Sequence, residues 1–384
     1  MWRIFLTGAT GFLGGELAVA LSKLNSVEKI YCLIRAKCDE EALARLKDIF
    51  ALHGDYYDQY KVCAIRGDLR DDSLPTRLGR MDTLADVNLV IHSAANTSFL
   101  QQKYPAIAET NINGTRRILA WASHLKSLET FAYIGTATIV GSSADVIGRT
   151  ICEDESPNPS ATHLVGYTQS KMFAEMAVRA AIPRDKLVVF RPSILLGDSR
   201  YLVPRSFDIA WIIVAIRQLR MFFGNLDTAC DIISVDYAAK AIESLLMNPR
   251  RYTTYHISAG PAATTCREIL KGIDFTAPAV ISCPKEHLAS IKKWLRREGE
   301  LPPALRQYSD YLDHIRFEIG SKNARLLLAG LEAYWQFIDL SQRFDNSRML
   351  ADTGIGLPEP AHVYLKRTMA YLHDIDPLEA AVNP

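Results

Sequence analysis

Apolar positions along the first two thirds of the chain follow two rhythms that take turns. Short runs rich in Val, Ile, Phe and Tyr predict strands at Arg3 to Thr7, Lys29 to Arg35, Tyr60 to Arg66, Val87 to Ser93, Thr130 to Gly135 and Lys186 to Arg191, with a seventh at Thr254 to Ser258. Between them, Phe12 to Leu24, Glu40 to Leu52, Pro105 to Leu125, Val165 to Ala181 and Val235 to Met247 carry apolar residues at helical spacing. Such alternation predicts βαβ units and a doubly wound α/β fold around a parallel sheet. After Gly260-Pro261 it stops. Segments rich in Leu, Arg and Tyr then predict a mostly helical remainder broken at Pro302-Pro303 and Pro358 to Pro360, with Glu379 to Pro384 as a frayed end.

The first strand runs directly into Thr7-Gly8-Ala9-Thr10-Gly11-Phe12-Leu13-Gly14, a Gly-rich turn that opens a helix. Glycines there let the backbone approach a pyrophosphate, and the unpaired N–H groups at the helix start attract its charge. Strand before and helix after make this a dinucleotide site and the fold Rossmann-type. The expected division is a cofactor domain over 1–260, with residues about 200–226 contributing to a substrate lobe, and a mostly helical substrate-binding domain over 261–384.

Cofactor choice is expected at the end of the second strand. An NAD site usually has an acidic residue there for the ribose hydroxyls, but this chain has Arg35 and Lys37. Arg35 is expected to face a 2′-phosphate, with Lys37 and Arg45 as helpers, which makes NADP(H) the expected cofactor. Asp68 and Leu69 follow the third strand, where the carboxylate could accept from the adenine amino group. His92-Ser93-Ala94-Ala95 follows the fourth, and its small residues Ser93, Ala94 and Ala95 would let the backbone meet the cofactor. His92 is read equally as a packed strand-end residue.

Tyr167 and Lys171 stand four apart at the start of a predicted helix, so both side chains share a face. An ammonium beside a phenol favours proton donation to an alkoxide near neutral pH. Upstream, Thr136 ends the fifth strand, where its hydroxyl would hold a substrate oxygen. Asn111 is read either as a water bridge to Lys171 or as a helix-packing residue.

Composition changes this picture little. Hydrophobic residues make up 48% of the chain, charged residues 23%, and the formal net charge is +1, which leaves no electrostatic footprint for nucleic acid. Seven cysteines are scattered without a C-x-x-C pair or metal-ligand spacing, so no metal is expected and reduced cytoplasmic thiols are. The N-terminus lacks the pattern of a secretory signal. No stretch reaches the roughly 18 to 20 apolar residues of a membrane span. The longest candidate, Phe207 to Phe223, is interrupted by Asp208, Arg217, Gln218 and Arg220 and is read as an acyl-tunnel wall, a lipid contact or a core-facing helix.

These residues resemble the extended short-chain dehydrogenase/reductases, and within them the thioester reductase and fatty acyl-CoA reductase branch. The narrower resemblance rests on Thr7 to Gly14, Leu33-Ile34-Arg35-Ala36, Asn111-Ile112-Asn113-Gly114-Thr115, Phe190-Arg191-Pro192-Ser193, Gly197-Asp198-Ser199-Arg200 and Val235-Asp236-Tyr237, covering roughly residues 1–260. It implies NADPH, Pro192 and Ser193 near the cofactor, and a substrate held as a thioester of coenzyme A or of a carrier protein's pantetheine arm. The expected product is an aldehyde, with onward reduction to the alcohol left open. The chain departs from the pattern at Tyr201-Leu202-Val203 and at Ser234. Phe344-Asp345-Asn346-Ser347 faintly resembles the tail domain of fatty acyl reductases. Two other readings stand beside this one: a dehydrogenase or epimerase of sugar-nucleotide or steroid-like substrates, and a catalytically silent NADP-sensing regulator.

Overall fold

Seven parallel strands form the centre of the computed structural model, which describes residues 1–52, 54–200, 209–273, 280–368, 372 and 375–382. They are β1 (Trp2–Thr7), β2 (Val27–Ile34), β3 (Val62–Arg66), β4 (Leu89–His92), β5 (Thr130–Ile134), β6 (Leu187–Pro192) and β7 (Thr254–Ile257), in the spatial order β7-β6-β5-β4-β1-β2-β3. The order reverses between β1 and β4, and such a switch point opens a crevice at the carboxyl ends of the strands. The chain's Gly-rich turn, after β1, lies there.

Alternation along each strand feeds two cores. Ile4, Leu6, Ile30, Cys32 and Ile34 point to one face and meet helices α1 (Phe12–Ser22), α2 (Asp39–Ala51) and a helix over Val235–Met247. Phe5, Tyr31 and Leu33 point to the other, against helices over Gly114–Ala122 and Gly166–Ala181. With period-2 strands, a one-residue slip would exchange the two faces, so the pattern also specifies register. In chain order the remaining helices used below are α3 (Gly114–Ala122), α4 (Gly166–Ala181), α5 (Trp211–Leu219), α6 (Val235–Met247), α7 (Cys266–Ile273) and α8 (Ser321–Ile338).

The predicted strands and helices of the first 260 residues recur with ends moved by a few residues, and α6 matches its expected bounds. One helix differs. The segment expected from Pro105 to Leu125 contains a π-turn at Glu109–Asn113 between Tyr104–Ala108 and α3. An extra residue in the turn rotates the helix beyond it, and π-turns often accompany functional sites.

A third core lies beyond the sheet. Trp211, Ile213, Ile216 and Leu219 of α5, Phe222, Ile291, Leu312, Leu327, Leu331 and Tyr364 pack together there. Phe207 and Asp208 of the long apolar stretch, and the departure at residues 201–203, lie outside the described residues. The remainder of that stretch is α5 followed by the short strand Met221–Phe223. The C-terminal part does not stay in this lobe: Arg343–Phe344 pairs in parallel with Thr150–Ile151, and Met349 packs into the core beneath the sheet. Among the described residues no helix is long and apolar enough to cross a membrane.

Candidate active site

Gly8 has φ +79°, and a Cβ there would lie 2.7 Å from the Ala94 nitrogen. A Cβ on Gly14 would lie 2.1 Å from the Gly8 carbonyl oxygen. Only glycine permits this close packing of turn, helix start and the loop after β4, which leaves the first N–H groups of α1 facing the crevice. Thr7 fastens the same corner: its hydroxyl accepts from Ala94 N at 3.1 Å and bonds His92 Nδ1 at 2.8 Å. The other ring nitrogen of His92 meets the Thr115 hydroxyl at 2.9 Å, and the ring is fully buried. Burial, then the Lys171 charge, pushes His92 down to about 3. It is therefore a neutral packing residue.

A cavity of about 770 Å³ runs from this turn across the sheet edge into the third core. Of the residues expected at the cofactor, Gly8, Thr10, Gly11, Phe12, Leu13, Gly14, Arg35, Arg45, Asp68, Leu69, Ser93, Ala94, Ala95, Pro192 and Ser193 all line it. Lys37 is exposed and its backbone N–H donates to Glu41. Arg35 is exposed at the rim, and Arg45 donates to its carbonyl oxygen. Arg70, which sequence reasoning missed, lines the same end and pairs with Asp68 at 2.7 Å. Its hydrogen bonds hold the Asp68 carboxyl below the usual range. An arginine two residues past the expected adenine contact was the available signal.

Thr136, Tyr167 and Lys171 line the middle of the cavity. Thr136 sits in extended backbone just past β5, and its hydroxyl meets that of Thr138 at 2.9 Å. Tyr167 and Lys171 lie one turn apart on α4, and the Lys171 ammonium donates to the Ile134 carbonyl at 2.5 Å. It also stands 4.5 Å from the Tyr133 ring centre. Desolvation pushes Lys171 down to about 7, with the Glu175 carboxylate resisting, and pushes the Tyr167 phenol up to about 12. The phenol is thus a weaker acid than usual in the free protein, and burial is the cause.

Asn111, in the π-turn, does not line the cavity. Its amide nitrogen donates to Ser170 Oγ at 2.8 Å and to the Asn96 carbonyl at 2.9 Å, while its oxygen accepts from Asn96 N at 2.7 Å. It ties the loop after β4 to the helix that carries Tyr167 and Lys171. Below them, Glu175 and Arg191 form a fully buried ion pair at 2.7 Å.

Beyond Tyr167 the walls turn apolar. Phe99 stacks on Tyr334 with centroids 4.6 Å apart and lies 6.0 Å from the Tyr167 ring. Ile209, Ile212, Ile213 and Ile216, the last three on α5, continue the lining. Helix α5 thus supplies both core and wall. Phe99 and Tyr334 carried no local signal, since they are 235 positions apart and only the fold brings them together.

A switch-point crevice, a Gly-rich helix start, and Thr136, Tyr167 and Lys171 on one cavity make a Rossmann-type NAD(P)-binding scaffold. The chain belongs to the family described as male sterility protein, whose family model matches residues 6–242. It is 30% identical over 277 residues to a linear gramicidin synthase of Brevibacillus parabrevis, an alignment covering 70% of this chain and 5% of that protein. It is 29% identical over 273 residues to the fatty acyl-CoA reductase wat of Drosophila melanogaster, covering 62% of this chain and 53% of the relative. The chain therefore spans from a twentieth to about half the length of these relatives. Among solved structures, the terminal R domain of the myxalamid PKS-NRPS biosynthetic pathway superposes with a TM-score of 0.72 at 23% identity, covering 97% of this chain and 91% of that one, and so shares the fold.

Proposed function

We propose that this protein is an NADPH-dependent reductase that converts an acyl thioester, borne by a carrier protein's pantetheine arm or by coenzyme A, to an aldehyde. The observation that carries the reading is the continuous cavity. It joins a nucleotide end rich in arginine, a Thr-Tyr-Lys centre and an apolar lobe in one space. The tight backbone at Gly8 and Gly14 and the inward N–H groups of α1 fit a dinucleotide pyrophosphate, and Arg35, Arg45 and Arg70 fit a 2′-phosphate. The apolar wall of α5 and Phe99 fits an acyl chain better than a sugar. We assign the lobe over 209–230, 266–273, 280–338, 361–368 and 375–382 as the substrate-binding part.

Bound reduced nicotinamide supplies a hydride for the carbonyl carbon. Thr136 and Tyr167 then donate hydrogen bonds to the oxygen as its negative charge grows, a contribution commonly worth several kcal/mol when the donors are pre-positioned. Tyr167 passes its proton to that oxygen. Held near 12, the phenol reliably carries this proton at neutral pH, and charge developing on the substrate drives the transfer. The Lys171 ammonium stabilises the resulting phenolate and can hold the ribose hydroxyls. Asn111 positions the helix that carries both. The thiohemiacetal so formed collapses to free thiol and aldehyde. Seven free cysteines suit a reducing cytoplasm.

NADPH absorbance tests the reading. Oxidation with acyl-CoA or an acylated carrier protein is expected, and the absence of turnover with either thioester, alongside turnover of sugar nucleotides or sterols, would overturn it. Tight NADPH binding with no turnover of any substrate would mark a sensor instead.

A further inference from the structure

Cys230 and Cys266 are 36 residues apart in sequence, yet their sulfurs lie 2.9 Å from each other. The local backbone explains the meeting. Ala229–Cys230 and Thr264–Thr265 form an antiparallel ladder with Cys230 opposite Thr264, and the Cys266 N–H extends it by donating to the Thr228 carbonyl at 3.0 Å. Cys230 and Cys266 therefore lie diagonally on one face. Both are buried in the protein and both line the substrate cavity. Cys266 is also the first residue of α7, whose Ile269 and Leu270 form the next stretch of the same wall.

We propose that Cys230 and Cys266 are a reversible oxidation site whose disulfide clamps α7 to the strand pair and fixes that wall of the cavity. The sulfurs need to close by only about 0.9 Å to reach a disulfide bond length of about 2.0 Å. The cavity gives a small oxidant access that the protein surface does not. With a low-molecular-weight disulfide such as oxidised glutathione, one cysteine thiolate attacks the oxidant's S–S bond, expels a small thiolate and forms a mixed disulfide. The second cysteine, losing its proton, attacks the protein sulfur of that bond and expels the second thiolate. One protein S–S bond forms, two thiol protons are released, and two electrons pass to the oxidant. Hydrogen bonding to Cys266 and burial hold the Cys230 thiol well above its ordinary value, so oxidation is slow without a strongly oxidising pool. The cross-link itself is independent of the proposed reaction, while its effect on substrate rests on that reading.

Peptide mass mapping under non-reducing conditions tests the cross-link after the full chain is equilibrated with oxidised and reduced glutathione. The expected product joins the Cys230 and Cys266 peptides, is cleaved by dithiothreitol and is lost in both Cys230→Ser and Cys266→Ser. Recovery of the two cysteines as thiols, as separate glutathione adducts or bonded to other cysteines would overturn the proposal. No substrate is involved, so this result stands whether or not thioesters turn over. The clamp is read by kinetics: oxidation should change the KM for a long-chain acyl thioester several-fold in the native chain and leave that of Cys230→Ser unmoved. A cross-link with unchanged KM across chain lengths would overturn the wall-fixing role.

Discussion

Burial acts on Tyr167 and Lys171 in opposite directions, raising one and lowering the other, and so favours neutrality for both. With Lys171 near 7, its charge is lost as pH rises through neutrality and is present below it. Activity that depends on the ammonium should therefore fall on the alkaline side of about pH 7 in the kcat/KM profile, which reports the free enzyme. A Glu175→Gln variant removes the carboxylate that resists the lowering and should move this limb to lower pH, which separates electrostatic support from simple structural damage. Tyr167→Phe should reduce turnover by about 10²- to 10⁴-fold and leave NADPH affinity within a factor of a few. Near-normal rates would assign the proton to another group, with Thr136 the first to examine. For cofactor choice, Arg35→Ala should weaken NADPH by about tenfold or more, roughly 1.4 kcal/mol, and NADH hardly at all. Equal losses in titrations of the two would remove the phosphate contact.

At the scale of elements, the start of α1 leaves no room for a side chain at Gly14. Gly14→Ala puts a Cβ against the Gly8 carbonyl, so turn and helix must separate. Dinucleotide binding should weaken by more than about tenfold in a fluorescence titration while circular dichroism stays close to native. This turn, the strands of the sheet and α6 were all legible in the sequence, because local periodicity and glycine placement encode them. The π-turn at Glu109–Asn113 was not, since it alters a helix by one residue without breaking its apolar pattern. Asn111 lies in that turn: of its two sequence readings, a water bridge to Lys171 or helix packing, its bonds to Asn96 and Ser170 match the packing one. That Thr136, Tyr167 and Lys171 stand together on one cavity was readable because strand ends and helix starts are local features. Phe99, Tyr334, Cys230 and Cys266 were not, because tertiary folding alone makes them neighbours.

Across the whole molecule, buried titratable groups set how stability responds to acid. Desolvation lowers His92 and His256 to about 3 and His163 to about 4, so these residues are neutral when folded but protonate near their ordinary values when unfolded. Their contribution is present above the unfolded value and is lost as pH falls through the folded one. Burial raises Glu153 to about 7 and Asp231 to about 6, and these carboxyls act in the opposite sense, losing stability as pH rises through that range. The two sets partly cancel between roughly pH 6.5 and 4.5. Below that window only Asp231 still opposes the histidines, which are joined by carboxylates such as Asp71 and Glu109 that hydrogen bonds hold low. Urea midpoints should thus drop gently to about pH 4.5 and steeply beneath it. A uniform slope would mean that these side chains are hydrated in the folded chain.

The far edge of the sheet is closed by Glu153, made before it, and by residues 344–346, made long after it. On β7, the His256 N–H donates to the Glu153 carboxylate at 3.0 Å, its ring meets the Asp345 carbonyl at 3.0 Å, and just past the strand the Ser258 hydroxyl donates to the Phe344 carbonyl at 3.0 Å. Asn346 then bonds the Ser258 carbonyl at 2.9 Å. During translation, strand β7 leaves the ribosome some ninety residues before this seal can arrive. For that interval the nascent sheet offers a partly unguarded rim to other unfinished chains, the situation in which chaperones are recruited. A polypeptide stopped before Arg343 would remain in that state, so its yield of dispersed protein should depend on chaperone supply far more than that of the full chain.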